Sequence, residues 1–219
     1  MNKKILVIVI LFCFNKNFAQ INNGIDNKFS IKVNPLALID VYGSYSYRIG
    51  AEFKIYKNFA TSIELGNYFN YGKNDGLRGN SKGFIIKPEI KMYLNENKLT
   101  TGEFVSIEYQ YKEIAFNYND SIKIAPIPTY KKEYRIYKNI SCINLKYGNL
   151  KVYKNNFLFE YYFGAGIRFC KGYNSLSELE NNGVLTGEGH GSEIGDAQRS
   201  INYVKLNLTL GFKFGYSFK

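Results

Sequence analysis

The last sixteen residues of the chain, 204 to 219, place a large apolar side chain at every second position. Leucines at 206, 208 and 210 are followed at the same spacing by aromatic residues at 212, 214, 216 and 218, and lysines, glycines and small polar residues lie between them. Successive side chains of a β-strand point to opposite faces, so this period of two predicts a strand with one apolar face and one small or charged face. At about 3.3 Å per residue the strand would be about 50 Å long.

The same alternation recurs along the chain, and it predicts eight strands. Aromatic and β-branched residues favour strands, and the chain has 20 Tyr and 17 Phe with no Trp. Near Gly148 and Asn149 the apolar positions change from odd to even numbers, which predicts a β-bulge. The predicted strands cover residues 29–39, 45–55, 59–71, 84–94, 103–113, 134–153, 157–169 and 204–218.

The connections between these strands fall into two classes. Those after strands two, four and six are short, and those after strands three, five and seven cover residues 73–82, 119–133 and 174–199. Short turns at one end and long loops at the other are typical of an outer-membrane barrel. An even number of strands also brings both termini to the short-turn end.

Side-chain size separates a membrane barrel from a soluble ligand-binding barrel, whose strands also alternate. The lumen of an eight-stranded barrel is just wide enough for side chains to fill it, which suits the face that carries glycine and charge. The aromatic face would then contact lipid, where a closed barrel leaves no backbone group unpaired. The predicted fold is therefore all-β, an eight-stranded antiparallel up-and-down transmembrane β-barrel with outer-membrane lipid as its partner.

The first residues have the features of a secretory signal peptide. Lys3 and Lys4 precede an apolar stretch, residues 5–14, and Ala19 supplies a small residue at the cleavage point. A lipoprotein signal at Cys13 is disfavoured because Phe12 stands where a small residue is needed. We predict a cleaved signal peptide over residues 1–19, a barrel domain over residues 20–219, and location in the bacterial outer membrane.

The net charge and the C-terminal residues indicate which binding partners to expect. Removal of residues 1–19 takes away three lysines and lowers the formal net charge from +11 to +8. Nucleic acid is not an expected partner of an exported protein, and basic residues that solvate one face account for this charge. Phe218 resembles the terminal aromatic signal that the outer-membrane assembly machinery reads, with Lys219 after it as a departure. We expect a monomer.

Four stretches carry a family resemblance: "VNPLALIDVYG", "YRIGAEFKI", "KGFIIKPEIKMYL" and "LKYGNLKVYKNNFLFEYYFGAGIRF". They resemble a family of small outer-membrane β-barrel proteins of Gram-negative bacteria that is known only as a domain of unknown function. The resemblance covers most of the mature chain and implies the barrel fold. It implies no catalytic, cofactor-binding or metal-binding residue.

Charged residues of both signs fall on the predicted inward faces. An isolated buried charge costs several kcal/mol, so we expect a structural network of ion pairs, with a proton or ion pathway as the alternative. Glu52 and Glu64 could form a carboxylate pair, but the neighbouring Arg48 and Lys54 favour neutralisation over catalysis. The predicted network comprises Arg48, Glu52, Lys54, Glu64, Lys87, Glu89, Lys91, Glu108, Glu160, Arg168, Lys205 and Lys213.

Few other residues suggest chemistry. Cys142 and Cys170 face inward on adjacent strands and could form a disulfide in an oxidising compartment, or remain buried thiols. His190 and Ser192 lie in a glycine-rich acidic loop, which favours a solvated loop over a catalytic pair. We therefore predict no catalytic residue, no cofactor and no metal.

The sequence thus predicts a non-enzymatic integral outer-membrane protein. Its role would be structural, or recognition of an extracellular or periplasmic ligand through its long loops. A narrow porin-like channel is the first alternative, and an outer-membrane lipid-modifying enzyme is the second.

Overall fold

Eight antiparallel strands form one closed ring in which each strand pairs with its sequence neighbours and β1 pairs with β8. The structure is a computed structural model that describes residues 28–39, 45–69, 79–94, 100–153, 155–182 and 202–218. The all-β prediction with eight strands in up-and-down order is confirmed, whereas the predicted signal peptide, His190 and Ser192 lie outside the described residues. The strands are β1 Phe29–Val33, β2 Ser46–Tyr56, β3 Phe59–Tyr68, β4 Gly79–Tyr93, β5 Gly102–Ile122, β6 Tyr130–Val152, β7 Phe157–Asn174 and β8 Tyr203–Phe218.

Among the residues that the structure describes, two short helices accompany the strands, a 3-10 helix over Pro35–Ile39 and helix α1 over Glu178–Asn182. Within the described residues, no helix has the length and apolar character needed to cross a membrane. The prediction that the first strand continues to residue 39 is wrong, because β1 ends at Val33. Pro35 has no backbone N–H to donate to a neighbouring strand, so the ladder stops and the 3-10 helix begins.

Strands β5 and β6 are far longer than predicted. They contain 21 and 23 residues, so their hairpin projects beyond the rest of the ring at the loop end. The prediction ended β5 at residue 113 because the alternating apolar pattern stops there. The strand nevertheless continues, with polar residues such as Asn117 and Asn119 on its outward face and Phe116 buried on its inward face.

The predicted β-bulge near Gly148 is wrong. The register of β6 with β7 runs without a shift from Ile136 to Val152, and Leu150 and Val152 face inward like Lys146. The apolar pattern changes parity there because the interior itself becomes apolar at the short-turn end. Seven buried residues form this cluster, hereafter the apolar floor: Ala60, Tyr93, Phe104, Leu150, Val152, Leu158 and Tyr162.

Inward-facing glycines make room for rings in the narrow interior. Phe104 pairs with Gly148 across β5 and β6, and Tyr162 pairs with Gly211 across β7 and β8. A Cβ added at Gly211 would lie only 2.5 Å from the Tyr162 hydroxyl, and one at Gly148 would lie 2.6 Å from the Phe104 ring. The rings therefore lie over the glycines, as aromatic residues do when they cover glycine in curved sheets.

The outer surface has an aliphatic centre with aromatic residues at both ends. On β8, Leu206, Leu208 and Leu210 are 72%, 75% and 80% exposed. At the short-turn end the Phe29 ring stacks on two other phenylalanine rings, at 4.7 and 5.3 Å between centroids. At the loop end the rings of Phe84 and Tyr111 pack with their centroids 5.9 Å apart.

This apolar surface, hereafter the apolar belt, has polar edges. On the loop side Glu113, Asn139 and Lys171 are register partners in a row across β5, β6 and β7. On the short-turn side Glu103 pairs with Asn149. Between Glu103 and Glu113 the outward residues of β5 are Val105, Ile107, Tyr109 and Tyr111.

Candidate functional site

Ten buried charged side chains form a continuous network of ion pairs in the middle of the ring. Five are lysines and five are glutamates, so their formal charges balance, and each of the eight strands supplies at least one of them. We call this set the interior network. Its members are Lys32, Glu52, Glu64, Lys87, Glu89, Lys91, Glu108, Lys146, Glu160 and Lys213.

One half of the interior network joins opposite sides of the ring. Lys91 Nζ on β4 lies 2.8 Å from Glu160 Oε1 on β7 and 2.8 Å from Glu52 Oε2 on β2. Lys32 Nζ on β1 donates to the same two carboxylates, at 2.7 Å to Glu52 Oε2. Two lysines and two glutamates thus alternate across the interior.

The other half is organised around Glu89. Lys146 Nζ lies 2.7 Å from Glu89 Oε1 and 2.7 Å from Glu108 Oε2, and Lys87 Nζ lies 3.3 Å from Glu108 Oε1. Lys213 on the last strand lies 3.0 Å from Glu64 Oε2. Its ammonium group is also 3.9 Å from Glu89 and 4.0 Å from Glu160, so it connects the two halves.

Neutral groups complete the coordination of these charges. Tyr93 donates its hydroxyl to Glu52 Oε1 at 2.7 Å, Ser106 donates to Glu89 Oε1 at 2.6 Å, and Asn144 donates to Glu108 Oε1 at 3.1 Å. The ammonium group of Lys91 also lies 4.4 Å from the centroid of the Phe104 ring. Buried charges need such additional donors to offset their desolvation. Parity would have identified these neutral partners, because they lie on the same inward faces as the charges.

The interior network fills a cross-section of the ring. Lys91 and Glu160 are 0% exposed and Lys146 is 1% exposed, so solvent does not reach them. The apolar floor lies beneath them toward the short turns, with Tyr162 against the ammonium groups of Lys146 and Lys213 at 4.4 and 5.2 Å. The arrangement can carry fixed, neutralised charge, and the buried side chains of the interior network and of the apolar floor occupy this part of the interior.

Some of the residues predicted to form the charge network belong to the interior network, and others lie at different positions along the axis of the ring. Eight of the twelve belong to the interior network, together with Lys32 and Lys146, which also face inward by parity. Lys54 and Arg168 lie elsewhere, opposite Ala60 and Lys205 respectively, whereas Arg48, opposite Gly66, is among the cations around Glu64. Glu52 and Glu64 do not share a site, since Glu52 contacts Lys32 and Lys91 whereas Glu64 contacts Lys213.

The two cysteines are buried free thiols. Cys142 is the register partner of Arg168, and Cys170 is the partner of Ile140. The cysteines are therefore diagonal neighbours, and such positions lie about 7 to 8 Å apart, beyond the usual separation of bonded cysteines. The disulfide considered from the sequence is not formed in this structure.

The described residues contain no cluster of three or more histidine, cysteine, aspartate or glutamate side chains arranged to hold a metal ion. The chain matches no family model, and comparisons with curated proteins and with solved structures return no match either. The family resemblance in the sequence stays a prediction.

Proposed function

We propose that the chain is an integral outer-membrane β-barrel that is not an enzyme. The observation that carries this proposal is the apolar belt with its polar edges. The ten residue-to-residue steps from Glu103 to Glu113 span about 33 Å along a strand, or about 25 Å in height at a strand tilt of about 40°, and the apolar band of membrane barrels is about 25 Å tall. Aromatic residues at both ends of the belt match the girdles that such barrels place at the two membrane interfaces.

The reversal of the two faces beyond Glu113 supports the same proposal. The outward residues Asn117 and Asn119 are polar, while Ile114 and Phe116 are fully buried on the inward face. A strand that leaves lipid for water requires this change, because its outward face must then be solvated. The proposed membrane boundary therefore follows the row of Glu113, Asn139 and Lys171.

The interior network favours a structural interior over a channel. Its charges balance and are buried, whereas a conducting pore would need a hydrated path along the axis. The loop end favours recognition, because the β5–β6 hairpin extends nine residues beyond Glu113, which is about 30 Å along the strand. Recognition residues commonly lie on projecting segments that a rigid scaffold positions.

Spin labels on β8 test the membrane assignment. Single labels at residues 205 to 210 would be placed in protein reconstituted into lipid vesicles. We expect labels at 206, 208 and 210 to be accessible to oxygen dissolved in lipid, and labels at 205, 207 and 209 to be shielded from it. Even positions that are accessible only to water-soluble reagents would refute the membrane assignment and favour a soluble ligand-binding barrel.

Two further measurements address the alternatives. Steady conductance of the reconstituted protein in planar bilayers would favour the narrow channel. A change in lipid A mass on expression in a host that lacks the activity would favour a lipid-modifying enzyme. The proposal expects neither result.

A further inference from the structure

A groove lies in the apolar belt, on the outer surface of the ring where β3, β4 and β5 adjoin. Its volume is about 590 Å³, which is within the range of small-molecule sites in proteins. Among the described residues that line it, only Glu89 is charged, and most of the others are apolar. We call it the belt groove, and its defining residues are Phe59, Thr61, Pro88, Met92, Val105 and Tyr109.

Pro88 gives a physical reason for an irregular wall at this place. Proline has no backbone N–H to donate, and in sheets it occurs mainly at edges or bulges. Pro88 nevertheless lies in a strand that has a neighbour on both sides. On the β5 side the register is interrupted at Pro88 and resumes at Glu89, opposite Glu108. The ladder between β4 and β5 is therefore incomplete where the belt groove lies.

The lining of the belt groove favours an apolar ligand without charge. Thr61 and Val105 are half-buried, whereas Ile107, two residues along β5 from Val105, is 61% exposed. Glu89 faces the interior, and its Oε1 atom lies 2.7 Å from Lys146 Nζ. The one charge in the lining is thus already balanced by the interior network, so the groove can offer a ligand little besides apolar contact.

The belt groove lies mainly in the half of the belt nearer to the short turns. Its lining residues on β5 run from Val105 to Tyr109, whereas the belt runs from Glu103 to Glu113. At the loop side of the groove the Tyr109 hydroxyl is hydrogen-bonded to Ser141 Oγ at 3.2 Å. A lipid in this half of the belt would belong to the leaflet at the short-turn end.

We propose that the belt groove binds one acyl chain of a phospholipid from the leaflet at the short-turn end. This inference rests on the proposed function, because phospholipid surrounds the belt only if the ring lies in a membrane. The groove is continuous with the belt, so the medium that covers the belt also fills the groove. An acyl chain is narrow, flexible and apolar, and the thioether of Met92 adapts readily to such a ligand.

A second copy of the chain would fill the belt groove less well. The commonest contact between two copies is twofold, and it places the same surface patch on both sides of the interface. Two grooves would then face each other, and neither would supply a protruding group to fill the other. The shape of the groove therefore favours a lipid over a second copy.

The methyl group of Met92 gives a direct test, because the chain has two methionines, Met1 and Met92. Full-length protein with isotope-labelled methionine methyl groups would be refolded in a fluorinated surfactant, whose chains mix poorly with hydrocarbon. Dimyristoylphosphatidylcholine would then be added while the NMR spectrum is recorded. We expect the Met92 resonance to shift and to saturate at one phospholipid per chain. Met1 should show no saturable response and serves as the internal reference.

Substitutions that fill the belt groove should weaken this binding. Val105→Phe and Thr61→Phe each place a ring in the groove, and we expect about tenfold weaker phospholipid binding, or more, for both. Leu208→Phe places a ring on β8, elsewhere on the belt, and this matched control should bind as the native chain does. Phospholipid should raise the unfolding temperature of the native chain and of the control, but less that of the groove variants. The gel mobility of unheated samples would verify that each variant has folded.

Three results would overturn the proposal. The first is the absence of a saturable Met92 response, or equal binding by the groove variants and the control. The second is a response to myristate but not to the phospholipid. The third is a Met92 shift that depends on protein concentration and not on lipid, which would assign the groove to a second copy.

The spin-label test on β8 separates this inference from the proposed function. Labels that contact lipid, together with an unresponsive Met92, would reject the acyl-chain site alone. Labels that are accessible only to water-soluble reagents would reject the membrane assignment, and the acyl-chain site with it.

Discussion

At the scale of single residues, the interior depends on charges that cannot be removed one at a time. Glu160 is 0% exposed and accepts from Lys32 and Lys91, so its loss would leave two buried ammonium groups with fewer partners. Breaking a buried pair by removing one partner is far more destabilising than removing an exposed charge.

Glu160→Gln should therefore lower the free energy of unfolding by about 3 to 5 kcal/mol. Urea unfolding in lipid vesicles, followed by the gel mobility of unheated samples, would measure the change. Glu113→Gln, at the exposed edge of the belt, should change it by less than about 0.5 kcal/mol. Adding Lys32→Met to Glu160→Gln should recover part of the loss. Equal effects at positions 160 and 113 would contradict the burial of the interior network.

At the scale of elements, the medium around each part of a strand determines which residues its outward face can carry. Leu208 is 75% exposed near the middle of β8, whereas Asn119 is exposed on the outward face of β5 beyond the belt. A charge on the first position would face lipid if the chain is a membrane barrel, and a charge on the second would face water.

Leu208→Arg should consequently cost about 2 to 4 kcal/mol if it lies near the bilayer midplane, and Asn119→Arg should cost about 0 to 1 kcal/mol. Reversible unfolding in vesicles would give both values. Similar small costs at both positions would argue against lipid around β8.

Helix α1 gives a prediction about pH. The Lys132 ammonium donates to Glu180 and the Ser177 backbone N–H donates to it at 3.0 Å, and these contacts lower the pKa of the Glu180 carboxyl from 4.5 to about 2. A lowered folded-state pKa means that the contact stabilises fully above the unfolded pKa and is lost as pH falls through the folded one.

Amide hydrogen exchange around residues 175 to 182 should therefore be slow, relative to its intrinsic rate, at pH 6, and should accelerate between about pH 4.5 and pH 2. Lys132→Met should move this transition toward the ordinary carboxylate range. A transition that does not move in Lys132→Met would exclude this ion pair as the cause.

The sequence predicted the strands whose outward face is apolar and whose inward face is small or charged. Residues 157–169 and 204–218 alternate between large apolar and small or charged side chains, and both are strands. It did not predict residues 114–122 of β5, because the apolar side chains there point inward and the polar ones outward. Likewise Leu150 and Val152 suggested a β-bulge. A change of parity in the apolar pattern arises either from an extra residue in the strand or from an interior that becomes apolar, and the sequence does not distinguish the two causes. Which inward charges meet depends on relative strand heights, so Arg168 faces Lys205 and lies outside the interior network.

At the scale of the whole molecule, closure of the ring determines behaviour in detergent. A closed ladder of eight strands has no free edge at which unfolding can start. Unheated samples should therefore migrate differently from boiled samples in gel electrophoresis, as a folded membrane barrel does. Identical migration of both samples, after refolding in lipid, would contradict a closed membrane barrel.

Every strand contributes a charge to the interior network, so the ion pairs of the network are complete only when the ring has closed. Glu64 on β3 contacts Lys213 on β8, and Glu160 on β7 contacts Lys32 on β1, so these carboxylates lack those partners until the first and last strands have arrived. A sheet that lacks β8 would hold only four of the network's lysines against its five glutamates as well as an open edge, and both defects disappear in the same step. Partly assembled sheets should therefore be sparsely populated, and folding of the chain should end in a single cooperative pairing of β8 with β1.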